Sequence, residues 1–445
     1  MIRLIIALAL LVAGPALGAN LCDIYTLAQR EDAIFRGALA SYNAGLEKLP
    51  QARSLFLPNV SLNANTTYNN IDIRYDGESA FPSGQRSYNS HGATLNLTQP
   101  LFRKQNFAIY DQAQAQVALA EAQLALARQD LILRVAQAYF DILLAQDNVN
   151  LAAAQKMAIS EQLAQAKRNF EVGSATITDT HEAQARFDLA RAQEIAAQNE
   201  LELKRRALQQ IIGQIPTNLE TVPSDLKLSL PEPLDMDQWV AQSQQQNLAI
   251  AIQRAALEVA TAEIERNRAG HYPTVDAVAT YGDNRAGSGF SGVGSDTNSK
   301  TLGLQLNLPI YQGGFVNSKV REARALQEKA REDLELARRQ AAFQTRQAYL
   351  GITASVAQVS ALEQALVSTQ STLDSTRLGF EVGVRTNVDI LNAQQQLFSA
   401  RRDLAQSRYN YLLSRLRLRS AQGTLSEADM GNISLCQPIP APNQN

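Results

Sequence analysis

Several short stretches of the chain alternate between apolar and polar positions. Val60, Leu62, Ala64, Thr66 and Tyr68 share one parity, and Asn59, Ser61, Asn63, Asn65 and Thr67 the other. Leu302, Leu304, Leu306 and Leu308 likewise oppose Thr301, Gly303, Gln305 and Asn307, and Ala93, Leu95 and Leu97 oppose Thr94, Asn96 and Thr98. A fourth stretch, Val275, Ala277 and Ala279, is weaker because Val278 falls out of phase. Period two predicts strands. One apolar face and one face of small polar residues suits a strand between lipid and a water-filled lumen, and the lengths approach the ~9 to 11 residues of a tilted membrane strand. Tyr68, Tyr75, Tyr88 and Tyr281 lie at one end of these stretches, and Phe56, Phe102, Tyr272 and Tyr311 at the other. Two aromatic levels are what the two interfaces of a bilayer select. A soluble antiparallel sheet with one dry face shows the same alternation, but it does not explain the aromatic levels. Asn69 to Arg86 and Asp283 to Asn298 are rich in Gly, Ser, Asp and Asn and are expected to be exposed loops.

Elsewhere the pattern is helical. Opening helices are expected to run unbroken from Leu21 to Leu55 and from Asp235 to Ala269, each ending just before a proline. Arg103 to Phe170 and Gly314 to Phe380 contain no proline, and each would make a helix on the order of 100 Å long at ~1.5 Å per residue. Thr176 to Ile211 and Thr386 to Ala421 predict returning helices. Their Ala, Gln, Leu and Arg composition also fits a long solvated coiled coil, which would leave the strands unexplained.

The same parts occur twice. Gln137-Ala138-Tyr139 recurs as Gln347-Ala348-Tyr349, and Phe170-Glu171-Val172-Gly173 as Phe380-Glu381-Val382-Gly383. The chain is therefore expected to divide into a first repeat (residues 19–212), a linker (213–234) carrying four prolines, a second repeat (235–425) and a tail (426–445). Residues 1–18 resemble a signal peptide: Arg3, an apolar run from Leu4 to Val12, and Ala16-Leu17-Gly18 as a cleavage site. No apolar run beyond Gly18 is expected to reach the ~20 residues of a spanning helix, so a membrane crossing would use strands. Four strands cannot close a barrel, since small closed barrels begin at about eight, so the chain is expected to oligomerise.

Composition narrows the function. With 41 Lys+Arg against 43 Asp+Glu, the 445-residue chain has no basic excess for nucleic acid. Three scattered histidines and two distant cysteines give little material for a metal cluster or a catalytic centre, and no cofactor is expected. Cys22 and Cys436 could form a disulfide in an oxidising compartment or remain as two free cysteines. Gly287 to Gly292 fits GxGxxG but sits between two strands without the following helix a dinucleotide site needs. The arginines between Arg401 and Arg419 suit an ion-paired helix face better than an anion site.

The most informative local signal is the pair of turns, Val172-Gly173-Ser174-Ala175-Thr176-Ile177-Thr178-Asp179 and Val382-Gly383-Val384-Arg385-Thr386-Asn387-Val388-Asp389. Glycine ends one helix and threonine caps the next. Ala175 in one turn is replaced by Arg385 in the other, while an acid stands in both.

The repeat, the Thr98-Gln99-Pro100-Leu101-Phe102 and Leu308-Pro309-Ile310-Tyr311-Gln312-Gly313-Gly314 strand ends, the two Val-Gly turns and the run from Arg408-Tyr409-Asn410-Tyr411-Leu412 to Leu425 resemble the TolC family of outer-membrane channels. That resemblance implies an α+β membrane protein. Three chains would pool four transmembrane strands each into a twelve-stranded β-barrel and their long antiparallel helices into a periplasmic α-helical barrel, with an internal two-fold repeat. It implies a passive duct exporting small molecules or proteins, opened by untwisting of the helix tips, and not an enzyme; a periplasmic coiled-coil filament is the alternative. Implied partners are a homotrimer, outer-membrane lipid, a periplasmic adaptor gripping Val172, Gly173, Val382 and Gly383, and an inner-membrane RND, MFS or ABC transporter. Carried onto this sequence, Arg385 would link to Asp179 and Thr178, and Asp389 would form an acidic ring. Phe380 stands where the family has a clamp tyrosine and Asn392 where it has a second acid, which implies a weaker closure.

Overall fold

The computed structural model describes residues 19–81, 83–216, 218–222, 228–289 and 293–431; the expected leader, 1–18, lies outside them. The chain forms two compact units. One comprises Ala40–Gln123 and Ala251–Ala337; the other takes in Leu124–Ile250 with the described residues up to Leu39 and from Arg338 onward.

The first of these units holds the strands. β1 (Asn59–Ile73), β2 (Gly84–Arg103), β3 (Thr274–Ala286) and β4 (Ser295–Asn307) make one antiparallel sheet in that order, so β1 and β4 are its edges. Register pairs Leu62 with Leu95, Leu95 with Tyr281 and Ala279 with Leu302, which gathers the apolar parity of all four strands on one face. The strands run further into the expected loops than the composition suggests: Asn69 pairs with Tyr88 and Asp283 with Asn298. Their polar side chains do not oppose strand pairing, because the ladder satisfies the backbone whatever the side chains face. The β2–β3 register shifts between Pro100 and Phe102, at the proline that cannot donate to the ladder. Beside it the Arg103 guanidinium grips Asp276 with two bonds of 2.8 Å.

The opening helices are broken. Instead of one helix over Leu21–Leu55 there are α1 (Leu21–Glu31), α2 (Ala33–Leu46) and α3 (Lys48–Ser54). Pro50 lies in the first turn of α3, where its missing N–H has no intrahelical partner to lose. At the first break the Asp32 carboxylate accepts from the Phe35 N–H at 2.6 Å. In the second half, α6 (Met236–Gln246) and α7 (Leu248–Arg268) break at Asn247, whose side-chain oxygen accepts from the N–H groups of Ala249 and Ile250. Each residue acts as an internal N-cap that competes with helix continuation.

The four remaining long helices agree with the proline-free spans. α4 (Lys104–Glu171) has 68 residues, α5 (Ile177–Ile212) 36, α8 (Phe315–Glu381) 67 and α9 (Asn387–Gln422) 36; a short α10 (Glu427–Gly431) follows. α8 departs from expectation in one respect. One 18-residue window in it reaches a mean hydropathy of 1.2 and meets the length and composition of a membrane span, although only 17% of that window is buried. In the helical unit the largest fully buried side chains include Tyr139 and Phe140 of α4, Leu208 and Ile212 of α5, and Tyr411, Leu412 and Leu416 of α9. The buried Tyr139 donates to the Glu220 carbonyl at 2.7 Å and the half-buried Tyr409 to Asp147 at 2.9 Å, so both phenols are partnered. Burial pushes the Asp147 carboxyl above the usual range, and the Tyr409 hydroxyl opposes that shift. Cys22 is disulfide-bonded; Cys436, like most of the expected tail, lies outside the described residues.

Candidate functional site

Two features carry chemistry: the outer face of the sheet and the pair of helix turns. On β2 the polar positions from Ser90 to Thr98 are half-buried or buried, while Ala93, Leu95 and Leu97 between them are exposed. Exposure reaches 69% at Leu62 and 86% at Leu302. On the central strands β2 and β3 the polar side is thus the more enclosed and the apolar side the barer, the reverse of a sheet whose apolar face packs on a core, while the edge strands β1 and β4 are largely exposed on both faces. Across the polar face the rows Ser61-Asn96-Thr280-Thr301 and Asn63-Thr94-Gly282-Ser299 are uncharged.

The turns are built alike. α4 and α8 end in Gly173 and Gly383, with φ of 76° and 79°, left-handed values that a residue without a Cβ adopts without strain. The N–H groups of Ser174 and Ala175 return to the Asn169 carbonyl, and those of Val384 and Arg385 to that of Gly379. Thr176 and Thr386 then cap α5 and α9 in full capping boxes with Asp179 and Asp389. Val172, Val382 and Val384 are left exposed at the turns.

This geometry assigns work to both acids. One oxygen of Asp179 accepts from the Thr176 N–H and hydroxyl at 2.9 and 2.8 Å, and Asp389 does the same with Thr386 at 2.8 and 2.9 Å. The Thr386 N–H and then its hydroxyl hold the Asp389 carboxyl below the ordinary carboxylate range, and the Arg385 charge acts in the same direction. Within one chain the structure does not bring Arg385 to Asp179 or Thr178: its stem lies against Gly379, and Thr178 is exposed. Phe380 and Asp179 face one cavity of about 170 Å³, which Gln165, Asn169, Thr386 and Asn387 also line. The Phe380 ring packs against the cluster of Leu373, Ile390, Ala393 and Leu397, so an apolar contact occupies the place where the family resemblance implied a hydroxyl.

Asn392 has a partner the sequence did not suggest. Arg186 on α5 donates to its side-chain oxygen at 3.1 Å and to that of Gln395 at 3.2 Å. No local motif marks this contact, because the partners lie 206 and 209 residues away. The arginines of α9 are mostly engaged: Arg408 pairs with Glu363 at 2.8 Å, Arg402 with Asp403 at 3.3 Å, and Arg417 donates to Gln137. Gly287, Ser288 and Gly289 lie beyond the end of β3, and residues 290–292 of that glycine motif lie outside the described residues.

Comparison with known proteins agrees with this picture. The family model described as outer membrane efflux protein matches residues 24–214 and 239–424. The chain is 35% identical to outer membrane protein TolC of Vibrio cholerae, over 93% of each. It is 33% identical to the alkaline protease secretion protein AprF of Pseudomonas aeruginosa, over 95% of this chain and 88% of that protein. In fold it is similar to the Campylobacter jejuni CmeC outer membrane channel, with a TM-score of 0.79 at 18% identity over 93% of this chain and 88% of the other. With both halves of its helical and strand framework matched, the chain belongs to the outer membrane efflux protein family: it is an outer-membrane channel protein, not an enzyme.

Proposed function

We propose that three copies assemble into a channel-tunnel: the strands close a twelve-stranded barrel in the outer membrane, the helices enclose a periplasmic conduit, and each chain is two copies of one structural unit. The observation that carries this is the sheet itself, whose apolar face meets no core, whose polar face is the more enclosed one on its two central strands, and whose two edges are unpaired. Open edges are costly in hydrocarbon, where no water satisfies the backbone. The duct is passive. It opens when the helix turns untwist, with the exposed valines and Gly173 and Gly383 receiving a periplasmic adaptor that couples it to an inner-membrane RND, MFS or ABC transporter. Arg385, unbound to Asp179 in its own chain, closes the ring by reaching the equivalent capped turn of a neighbouring copy. Asp389 supplies one acidic ring. The duct does not choose its cargo: TolC and a protein named for protease secretion are related to this chain to nearly the same degree.

Purified full-length protein in planar lipid bilayers is the test. Discrete, uniform conductance steps are expected from the outer-membrane fraction. A protein that stays soluble without detergent and gives no steps would instead be a periplasmic filament.

A further inference from the structure

Each chain carries two helical hairpins, α4–α5 and α8–α9, and the packing between them is unevenly satisfied. Leu391 of α9 enters the apolar cluster formed by Ile159, Leu163 and Ala166 of α4 with Ala183 and Ala190 of α5. On either side of it along α9, Asn387 and Gln394 are buried. The Asn387 amide nitrogen and both polar atoms of the Gln394 side chain have no hydrogen-bond partner there. Buried amides that lose water without gaining a partner oppose the packing that buries them. This seam is therefore apolar at Leu391 and strained by desolvation beside it.

One direct polar tie crosses the rim of that seam. Arg186 is anchored on its own helix by Glu182, one turn earlier, at 3.1 Å. Its two terminal nitrogens reach Asn392 and Gln395, which lie on one face of α9 three residues apart. A guanidinium fork matches two acceptors at that spacing, whereas a lysine ammonium presents a single point. Asn392, which accepts one of these bonds, is also the position at which the family resemblance led to the expectation of a missing acid.

We propose that Arg186 is an intrachain latch that holds α9 to α5, and that its fork onto Asn392 and Gln395 offsets the unsatisfied amides beneath. Arg186 is a positioning residue in this scheme. The proposal deepens the channel reading and rests on it, because only a duct gated by its helix turns converts the latch into a change in conductance. When the latch is released, the buried amides regain water and the two hairpins separate more readily.

Two measurements on full-length protein test it. In planar bilayers, Arg186→Ala is expected to raise the open-to-closed ratio roughly tenfold, equivalent to about 1.4 kcal/mol lost from the packed arrangement. Asn392→Ala with Gln395→Ala should reproduce that effect, and adding Arg186→Ala should bring little more. Arg186→Lys is expected to rescue only part, since it keeps the charge but loses the fork. Hydrogen exchange of the backbone over residues 180–190 and 387–398 should quicken in Arg186→Ala and stay unchanged over α1. Unchanged exchange in Arg186→Ala, or fully additive effects of the two sets of substitutions, would overturn the latch. Absence of conductance from the wild-type protein would overturn the channel reading instead, and the exchange measurement would still decide the latch.

Discussion

As the third residue of a capping box at the start of α9, Asp389 accepts from Thr386, and in the proposed channel the same carboxylate is the one expected to offer negative charge to passing ions, so the two roles titrate together. Hydrogen bonds to the charged form lower its pKa, so the capped state binds its proton less readily than the unfolded chain does. The sign follows. The cap's contribution to stability is complete above the unfolded carboxylate pKa and is lost as pH falls through the lower folded value. Block of the channel by multivalent cations is therefore expected to survive acidification past the ordinary carboxylate range, and to vanish in Asp389→Asn at every pH; titrating the block in bilayers checks both. Asp147 runs the other way. Burial raises its pKa, so its ionised form opposes folding and stability falls as pH rises through the folded value. Asp147→Asn keeps an acceptor for Tyr409 and removes that charge; a higher midpoint for unfolding of α4 and α9 at neutral pH, read by circular dichroism on heating, is the expected outcome.

Elements whose identity rests on a repeating local pattern were legible in the sequence. Strand alternation and proline-free runs depend on residues two to four apart, and they place β1 to β4 and α4, α5, α8 and α9. The breaks at Asp32 and Asn247 were not legible, since a lone Asp or Asn in a helical run looks the same whether it points to solvent or turns back to cap the next helix. Nor was Arg186, because its acceptors are set by how two hairpins pack. Adjacent residues on β4 offer a direct test of the alternation. Leu304 lies on the bare apolar face and Gln305 on the polar one. Leu304→Arg is expected to cost about 2 to 4 kcal/mol if it lies near the bilayer centre, whereas Gln305→Arg should be tolerated. Yield in the outer-membrane fraction separates them, and equal yields would refute the assignment of faces. At the end of α9, Gly423 has a φ of +92°, and an added Cβ would lie 2.1 Å from the Gln246 carbonyl oxygen. Gly423→Ala thus combines a left-handed strain of roughly 1 to 2 kcal/mol with a backbone clash, and a clear drop in thermal stability is expected.

At the scale of the molecule, the sheet demands completion. β1 and β4 each present an unpaired row of backbone donors and acceptors. Burying such groups in hydrocarbon without partners costs several kcal/mol apiece, far more than a single chain's marginal stability can absorb over a strand of 13 to 15 residues. In the proposed assembly insertion and pairing are therefore coupled: a chain entering the membrane is expected to do so with its edges paired to copies of itself, β4 of one against β1 of the next. Four strands per chain make three copies sufficient for a barrel of twelve, and one copy is below the roughly eight strands of the smallest closed barrels. The outer-membrane protein is accordingly expected to run as a trimer on a gel in SDS without heating and to collapse to the single-chain band on boiling. Cross-linking in detergent should end at three copies without a ladder beyond. A ladder that continued upward would mean that the edges pair without closing, which is the behaviour of a filament and not of a pore.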